Sequence, residues 1–422
     1  MGPVLEVRHR KMRLLSNLLT KFIQKGTLRV FDSGGTLHSF GDKAPGPTVA
    51  LRLHDRALEM KLAINPELYA GEAYMDGTLT FEEGSDVGGL MGLFSLNRAG
   101  LSGHTSQRLL RQIWRAARRW HQANPIGVAA SHARHHYDID TEIYRLFLDE
   151  GLNYSCAFFE DPAHETIEQA QLNKLQRIAA KLNLHPGMAV AEIGSGWGSL
   201  AIYLALFAGV HVTAINVSPA QISVARERAQ AAGVSAQVEF VELDYRKLPG
   251  HFDRVVSVGM MEHVGIGHFT EYFRKIGELL TDDGYALVHC IGRMTPPGTN
   301  GPFIRKYIFP GAYTPSLSEV FAATERVGLW VADMEVLRRH YDYTLQHWRD
   351  RFAANRAQAV SISDERFCRM WEYYLAAAQV DFRNGSKMVF QLLLSQRIDS
   401  VPITRDFMVA GAKSEMSPGN PI

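Results

Sequence analysis

Glu192 closes a short apolar run, and glycines follow it at 194, 196 and 198, interleaved with Ser195 and Trp197. The pattern E-x-G-x-G-x-G reads as the end of a strand, a tight turn and the opening of a helix. Glycines at this spacing let the chain turn sharply and let a bulky ligand lie against main-chain atoms without meeting a Cβ. The chemistry implied is the binding of a nucleoside-bearing ligand. A dinucleotide-binding turn, G-x-G-x-x-G, would place the third glycine one residue later. Taken alone, the stretch also fits a glycine-rich surface turn. Further candidates stand downstream at Asn216 to Gln221, at Asp244 and Tyr245, at Glu262 and His263, and from His289 to Gly292. His132, His135 and His136 are spaced to share one helix face, as metal ligands can. No glutamate stands between them as in H-E-x-x-H, and Tyr137-Asp138 suggests a turn, so no metal site is expected.

These residues must be positioned by the elements around them. Periodicity predicts helices over 141–149 and 165–184, then strand 188–193, helix 198–208, strand 210–215, helix 219–232, strands 237–242 and 253–258, helix 269–280 and strand 284–291. Such alternation implies a parallel sheet covered on both faces, with the ligand in the crevice at the carboxyl ends of its strands. All the downstream candidates fall at those ends. The remainder to about residue 397 reads as mostly helical, and the tail 400–422 as flexible.

The first hundred residues read as a small α+β domain. It has an amphipathic helix over 14–25, strands over 27–31 and 48–53, and a helix entered at Asn65-Pro66 and closed by Gly77. Residues 101–127 are of another kind. Arg108, Arg111, Arg115, Arg118 and Arg119 are interleaved with Leu110, Ile113, Trp114 and Trp120, and 101–121 holds no acid. Two readings fit: a linker helix lying in the interface of an anionic membrane, or an interdomain helix whose arginines are solvated or paired. With 422 residues, two domains are expected. A hydrophobic fraction of 46%, a charged fraction of 21% and a net charge of +1 describe a globular protein with no overall attraction to nucleic acid. Three widely spaced cysteines, Cys156, Cys290 and Cys368, suit a reducing compartment, and the N-terminal apolar stretch is too short and polar for a signal peptide. A cytoplasmic protein is expected.

The glycine pattern is that of S-adenosylmethionine-dependent methyltransferases. The chain as a whole resembles the cyclopropane-fatty-acyl-phospholipid synthase family within them. The resemblance rests on His136-Tyr137-Asp138, Tyr154-Ser155-Cys156-Ala157, the glycine turn with Trp197, Ser218-x-x-Gln221, Asp244-Tyr245-Arg246, Met261-Glu262-His263-Val264-Gly265 and Lys306-Tyr307-Ile308-Phe309-Pro310-Gly311. It implies a class I, Rossmann-like α/β domain with a mainly parallel seven-stranded sheet over 128–399, preceded by the α+β domain at 1–100. It implies that Tyr154, Ser155, Glu192, Gly194, Ser195, Gly196, Gly198, Asn216, Gln221, Asp244 and Tyr245 hold S-adenosylmethionine, with Asp244 accepting from the adenine amino group. It further implies a bicarbonate ion as bound base, held by Cys156, Glu262, His289, the main chain of Ile291 and Tyr341, with Glu262 orienting His289.

The N-terminal element Tyr74-Met75-Asp76-Gly77 is similar to that of family members acting on phospholipid. The resemblance thus implies methylene transfer to a cis double bond of a phospholipid acyl chain, closing a cyclopropane ring. A homodimer peripherally bound to anionic membrane goes with it. The alternatives are a fatty-acyl C-methyltransferase giving methyl-branched or methylated unsaturated chains, and a lipid-binding relative without catalysis. Two departures stand out: Ser195 where the family commonly has cysteine, and Ala378 where many members carry a cysteine to which a catalytic role is assigned. Cys368, ten positions earlier, does not replace it.

Overall fold

The computed structural model describes residues 4–41, 43–98 and 139–409. The basic stretch 101–127, the histidines at 132, 135 and 136, and the Tyr137-Asp138 turn lie outside the described residues. The described chain forms two compact units. One contains the N-terminal residues through 98 together with Thr299–Ile308 and Trp348–Gly385, and the other contains the rest of 139–409. Two segments of the expected catalytic span, 128–399, therefore pack with the N-terminal unit.

Along the chain, the N-terminal unit begins with α1 (Val4–Phe22), β1 (Thr27–Phe31), β2 (Leu37–Gly41), β3 (Thr48–Leu53), α2 (Arg56–Ile64), α3 (Pro66–Met75), β4 (Leu79–Glu82) and α4 (Val87–Leu96). Then come α5 (Thr141–Arg145), α6 (Ile167–Leu182), β5 (Ala189–Ile193), α7 (Ser199–Ala208), β6 (His211–Asn216), α8 (Pro219–Ala231), β7 (Val238–Glu242) and β8 (Phe252–Val258). The order ends α9 (Phe269–Leu279), β9 (Leu280–Arg293), α10 (Leu317–Val327), β10 (Trp330–Val336), α11 (His340–Ala354), α12 (Arg356–Ile362), α13 (Glu365–Asn384) and β11 (Lys387–Ser395).

In the N-terminal unit a four-stranded sheet runs β2-β1-β3-β4. The sequence pattern marks β1 and β3 but not the short edge strands β2 and β4, whose mixed sequences carry little alternation. The Tyr74-Met75-Asp76-Gly77 element has a packing explanation. Tyr74 Oη donates to Glu372 of α13 at 2.8 Å, Asp76 accepts from Arg366 at 2.8 Å, and a Cβ at Gly77 would lie 2.7 Å from the Arg369 guanidinium. Gly71 of α3 permits similar closeness, since a Cβ there would come within 2.3 Å of the Phe303 ring. Lys306 and Tyr307 both donate to Glu72, which ties their segment to the same helix.

The second unit is built on a seven-stranded sheet of order β10-β11-β9-β8-β5-β6-β7. Strands β5 to β9 are mutually parallel, and β11 is antiparallel to both its neighbours. This is the methyltransferase arrangement, and the mainly parallel seven-stranded class stands. The strands predicted between 188 and 291 are those observed, with ends moved by a residue or two and β9 extended. The remainder is mostly helical, as expected, and it also contributes β10 and β11, which the periodicity does not mark. Strand β11 carries Met388, Val389, Phe390, Leu392, Leu393 and Leu394, all buried because it has sheet on both edges and cover on both faces. Such an apolar run, broken by Gln391 alone, has no strand period to distinguish it from a buried helix.

One face of the sheet packs on α9 and α10 through residues such as Val288, Cys290, Phe273 and Val320. The other packs on α6, α7 and α8 through Tyr285, Leu287, Ile178, Leu204 and Ala225. Part of the expected flexible tail, 400–409, is among the described residues. Val401 and Met408 are buried in that second layer, so 400–409 is structure held by apolar contact.

Candidate active site

The glycine turn fulfils its geometric requirement. Gly194, Gly196 and Gly198 take φ of +91°, +53° and +85°, the left-handed region that side chains avoid. Gly198 N–H donates to Ser195 O at 2.9 Å, closing the turn at the start of α7. The glycines differ in purpose. A Cβ at Gly196 would meet nothing within 4 Å, so its side faces the open pocket, whereas one at Gly198 would lie 2.7 Å from Phe240 and 2.9 Å from Ala225. Gly194 and Gly196 line the pocket and Gly198 does not. Gly198, expected among the cofactor-binding residues, is bare because it packs against β7 and α8.

The pocket opens at the carboxyl ends of β5, β6, β7 and β8. Tyr154, Ser155, Glu192, Ser195, Asn216, Gln221, Asp244 and Tyr245 line it together with Trp197, Met260 and His263. Asn216 ends β6 and is fixed by its own bonds, donating to Gly196 O at 3.2 Å and to Gln221 Oε1 at 2.8 Å. Gln221 is placed because Ser218 caps α8 and Pro219 opens it. With its Oε1 engaged, Gln221 leaves Nε2 as a buried donor without a partner. Ser195 Oγ, Trp197 Nε1 and Glu192 Oε2 are likewise buried and unpartnered among the described residues. Orphaned polar atoms are costly in an empty protein interior, and four around one pocket fit a ligand with several polar groups.

Asp244 lines the pocket with its carboxylate already engaged. Its Oδ1 accepts from Arg246 N and Nε at 3.0 and 2.8 Å, and its Oδ2 accepts from Nη2 at 2.6 Å. Although burial works the other way, the Arg246 bonds hold this carboxyl below its usual range. Both oxygens serve the arginine, so accepting from an adenine amino group would use a remaining lone pair only.

Sequence reasoning missed Lys174. It is a cation on the buried face of α6, donating to Asn153 Oδ1 at 2.8 Å and Ser155 Oγ at 3.1 Å. Gln171, one turn earlier, donates to the carbonyls of the same two residues. Together they hold the 153–155 strand of chain against the pocket. Burial pushes Lys174 down to about 8, and burial also pushes Glu192, which lies within its field, up to about 8. The available signal was a polar residue at each of 171, 174 and 181 on an otherwise apolar helix face.

The five residues expected around an oxyanion lie in the same unit but in two settings. Strand β8 ends at Val258 opposite His289, which leaves Ile291 N–H without a strand partner on that side. Glu262 Oε1 takes it at 2.6 Å, while Glu262 Oε2 stays buried and unpartnered. Burial pushes Glu262 up to about 7. The Cys290 thiol beside it is pushed well up by burial and by the Glu262 charge. His289 alternates to the other face of β9, the one covered by α6, where its Nδ1 meets Gln391 Nε2 at 3.1 Å. Burial, aided by Lys174 and Lys181, pushes the imidazole down to about 3, so it is neutral. The expectation that Glu262 orients His289 is thus corrected, because successive residues of a strand face opposite ways and each group has its own partner. Cys156 is buried, its thiol raised well above the ordinary range, and the adjacent Ala157 N–H donates to Thr344 Oγ1 at 3.0 Å. Tyr341, also buried, stands one turn before Thr344 on α11.

No group of three or more metal-ligating side chains occurs among the described residues. None of the helices described is long and apolar enough to cross a membrane.

Sheet order, glycine turn and pocket together define a class I methyltransferase with a site for S-adenosylmethionine. A family model for mycolic acid cyclopropane synthetase matches residues 127–392, and the chain belongs to that family of enzymes. It is 34% identical over 361 residues to a "Probable fatty acid methyltransferase" of Pseudomonas putida, covering 83% of this chain and 88% of that one. It is 36% identical over 267 residues to the cyclopropane-fatty-acyl-phospholipid synthase of Escherichia coli K12, covering 63% and 68%. A mycolic acid cyclopropane synthase solved with SAH and CTAB superimposes with a TM-score of 0.60 at 28% identity, over 65% of this chain and 99% of the other.

Proposed function

We propose that the protein transfers a methylene carbon from S-adenosylmethionine to a cis double bond of a phospholipid-bound fatty acyl chain, closing a cyclopropane ring. The observation that carries this reading is Glu262, a buried acid with one oxygen on the Ile291 N–H and the other unpartnered. The cofactor supplies an electrophilic methyl carbon on a sulfonium, which an alkene attacks without prior deprotonation. What the protein must provide is a means to remove one proton from the new methyl group as the ring closes. Bicarbonate is the base in this reading, and the protonation states of the groups that the family resemblance assigns to it suit an anion: a carboxyl neutral below about pH 7, a neutral imidazole and an un-ionised thiol can all donate or avoid repulsion. Gly194 and Gly196 offer main chain to the methionine portion of the cofactor. Asn216 and Gln221 offer neutral polar groups to its nucleoside. Gln171 and Lys174 hold the Tyr154-Ser155 wall in place.

The E. coli relative's name supports the phospholipid substrate. Docking to an anionic membrane surface from the cytoplasm, through the arginine-rich stretch 101–127, completes the reading. A second reading, fatty-acyl C-methyltransfer without ring closure, is favoured by the longer match to the Pseudomonas relative and by Ala378 in place of the family cysteine. The test is to incubate the full chain with S-adenosylmethionine and vesicles of cis-unsaturated phosphatidylglycerol, then record proton NMR of the product lipid. Upfield ring protons are expected. A new methyl or exomethylene signal without them would replace the first reading with the second.

A further inference from the structure

Behind His289, on the face of the sheet covered by α6, a chain of hydrogen bonds runs through two residues that no motif singles out. Lys181 Nζ donates to Glu335 and, at 2.6 Å, to Gln391 Oε1, and Gln391 Nε2 lies 3.1 Å from His289 Nδ1. Glu335 is held charged by Lys181 and Arg177, and all three links of Lys181, Gln391 and His289 are buried. The register explains the meeting: Gln391 is paired directly opposite His289 across β9 and β11.

The direction of each bond follows from chemistry. An ammonium paired with a carboxylate has only donors, so the atom of Gln391 that faces Lys181 is the carbonyl oxygen. The other end of the amide is then the NH2, which also has only donors. His289 Nδ1 must therefore accept, and it carries no proton. The ring makes no other hydrogen bond among the described residues. A neutral imidazole with a bare Nδ1 keeps its single proton on Nε2.

We propose that Lys181 and Gln391 are positioning residues that lock His289 in the Nε2–H tautomer, so that it offers a hydrogen-bond donor to an oxyanion and cannot itself take the substrate's proton. The inference rests on the proposed function for the donor's target, and it deepens that reading by removing His289 as a candidate base. It also gives a reason for a lysine on the buried face of α6 that lies outside the pocket lining.

The experiment uses the full chain labelled with 15N-histidine. The His289 ring signals are identified by their loss in His289→Gln, and 15N shifts report which ring nitrogen holds the proton. A bare Nδ1 and a protonated Nε2 are expected in the unaltered protein. Gln391→Glu puts an acceptor opposite Nδ1 and an anion beside Lys181, so the proton should move to Nδ1. Turnover should then fall about 100-fold, the scale of a lost hydrogen-bond donor to an oxyanion, with S-adenosylmethionine affinity within about twofold of the original by calorimetry. Lys181→Met frees the amide to turn over and should give mixed tautomers with a smaller loss. A proton on Nδ1 in the unaltered protein overturns the inference while leaving the proposed reaction standing. A proton that moves in Gln391→Glu with turnover unchanged overturns instead the participation of His289. Should Gln391→Glu fail to fold, the spectrum of the unaltered protein decides the tautomer by itself.

Discussion

The cofactor pocket and the Glu262–His289 region sit along one sheet, yet they are built on opposite plans. The pocket is made by main chain turning at left-handed glycines, and its polar side chains end in unpartnered atoms. Around Glu262 and His289 the site is made by side chains, and most of their bonds are already used within the protein: Glu262 on Ile291 N–H, His289 on Gln391, Thr344 on Ala157 N–H. The first region is ready for a large polar ligand. The second leaves one polar atom unused, Glu262 Oε2, which in the proposed reading takes a small anion. Preorganisation costs little where backbone does the shaping, and it costs desolvation where buried titratable groups do it.

The comparison breaks most readily at Gly196. Gly196→Val places a branched side chain at φ +53° in open space facing the pocket. S-adenosylmethionine affinity should fall by on the order of 100-fold or more, about 3 kcal/mol, while circular dichroism shows a folded protein. Normal binding by calorimetry would show that the pocket is not where the cofactor lies.

Gly198→Ala sharpens the distinction between glycines that face ligand and glycines that face protein. Its Cβ would meet Phe240 and Ala225 well inside contact distance. We expect a loss of about 2–4 kcal/mol of stability in urea unfolding, from overpacking and positive φ together. Cofactor affinity of the folded protein should hardly change, and an affinity loss with unchanged stability would return Gly198 to the binding surface.

Glu262→Gln probes the side-chain region and should leave the pocket untouched. Turnover should drop roughly tenfold to 100-fold, in the range for a group that positions a base, with unchanged cofactor affinity. The pH profile provides the sign. Below about 7 the Glu262 carboxyl is protonated and can donate to an anion, and above about 7 it is charged and repels one. Turnover in the native protein should therefore decline as pH rises through 7, and the amide, which does not titrate, should flatten that limb. A native profile level through this interval would remove Glu262 from the anion's surroundings.

The smallest expected effect is at Gln221→Leu, which removes the unpartnered Nε2 donor of the pocket and also the acceptor for Asn216. One hydrogen bond is worth about 1 kcal/mol, so affinity should weaken about fivefold with turnover at saturating cofactor preserved. A loss in turnover instead would mean that Gln221 acts on the reacting carbon.

Much of this molecule was determined by local sequence. The parallel strands of the catalytic unit are separated by amphipathic helices with clear start and stop signals, so periodicity finds them. Glycine has a steric meaning that survives without context, so Gly194, Gly196 and the residues at the strand ends could be assigned to one crevice before any coordinates. What stayed hidden depends on neighbours distant in sequence. β11 is a run of apolar residues whose identity as a strand comes from being sandwiched between β9 and β10. Gly198 shares its motif with Gly196, and only the approach of Phe240, 42 positions on by the numbering, separates their roles. Lys174, Lys181 and Gln391 are ordinary polar residues in sequence, and their importance arises when folding buries them beside Glu192 and His289. The sequence specifies which groups are available and the period on which they repeat. Which face each group takes, which partner occupies it and whether a proton stays on it are settled by burial and register, which exist only once the chain has closed on itself.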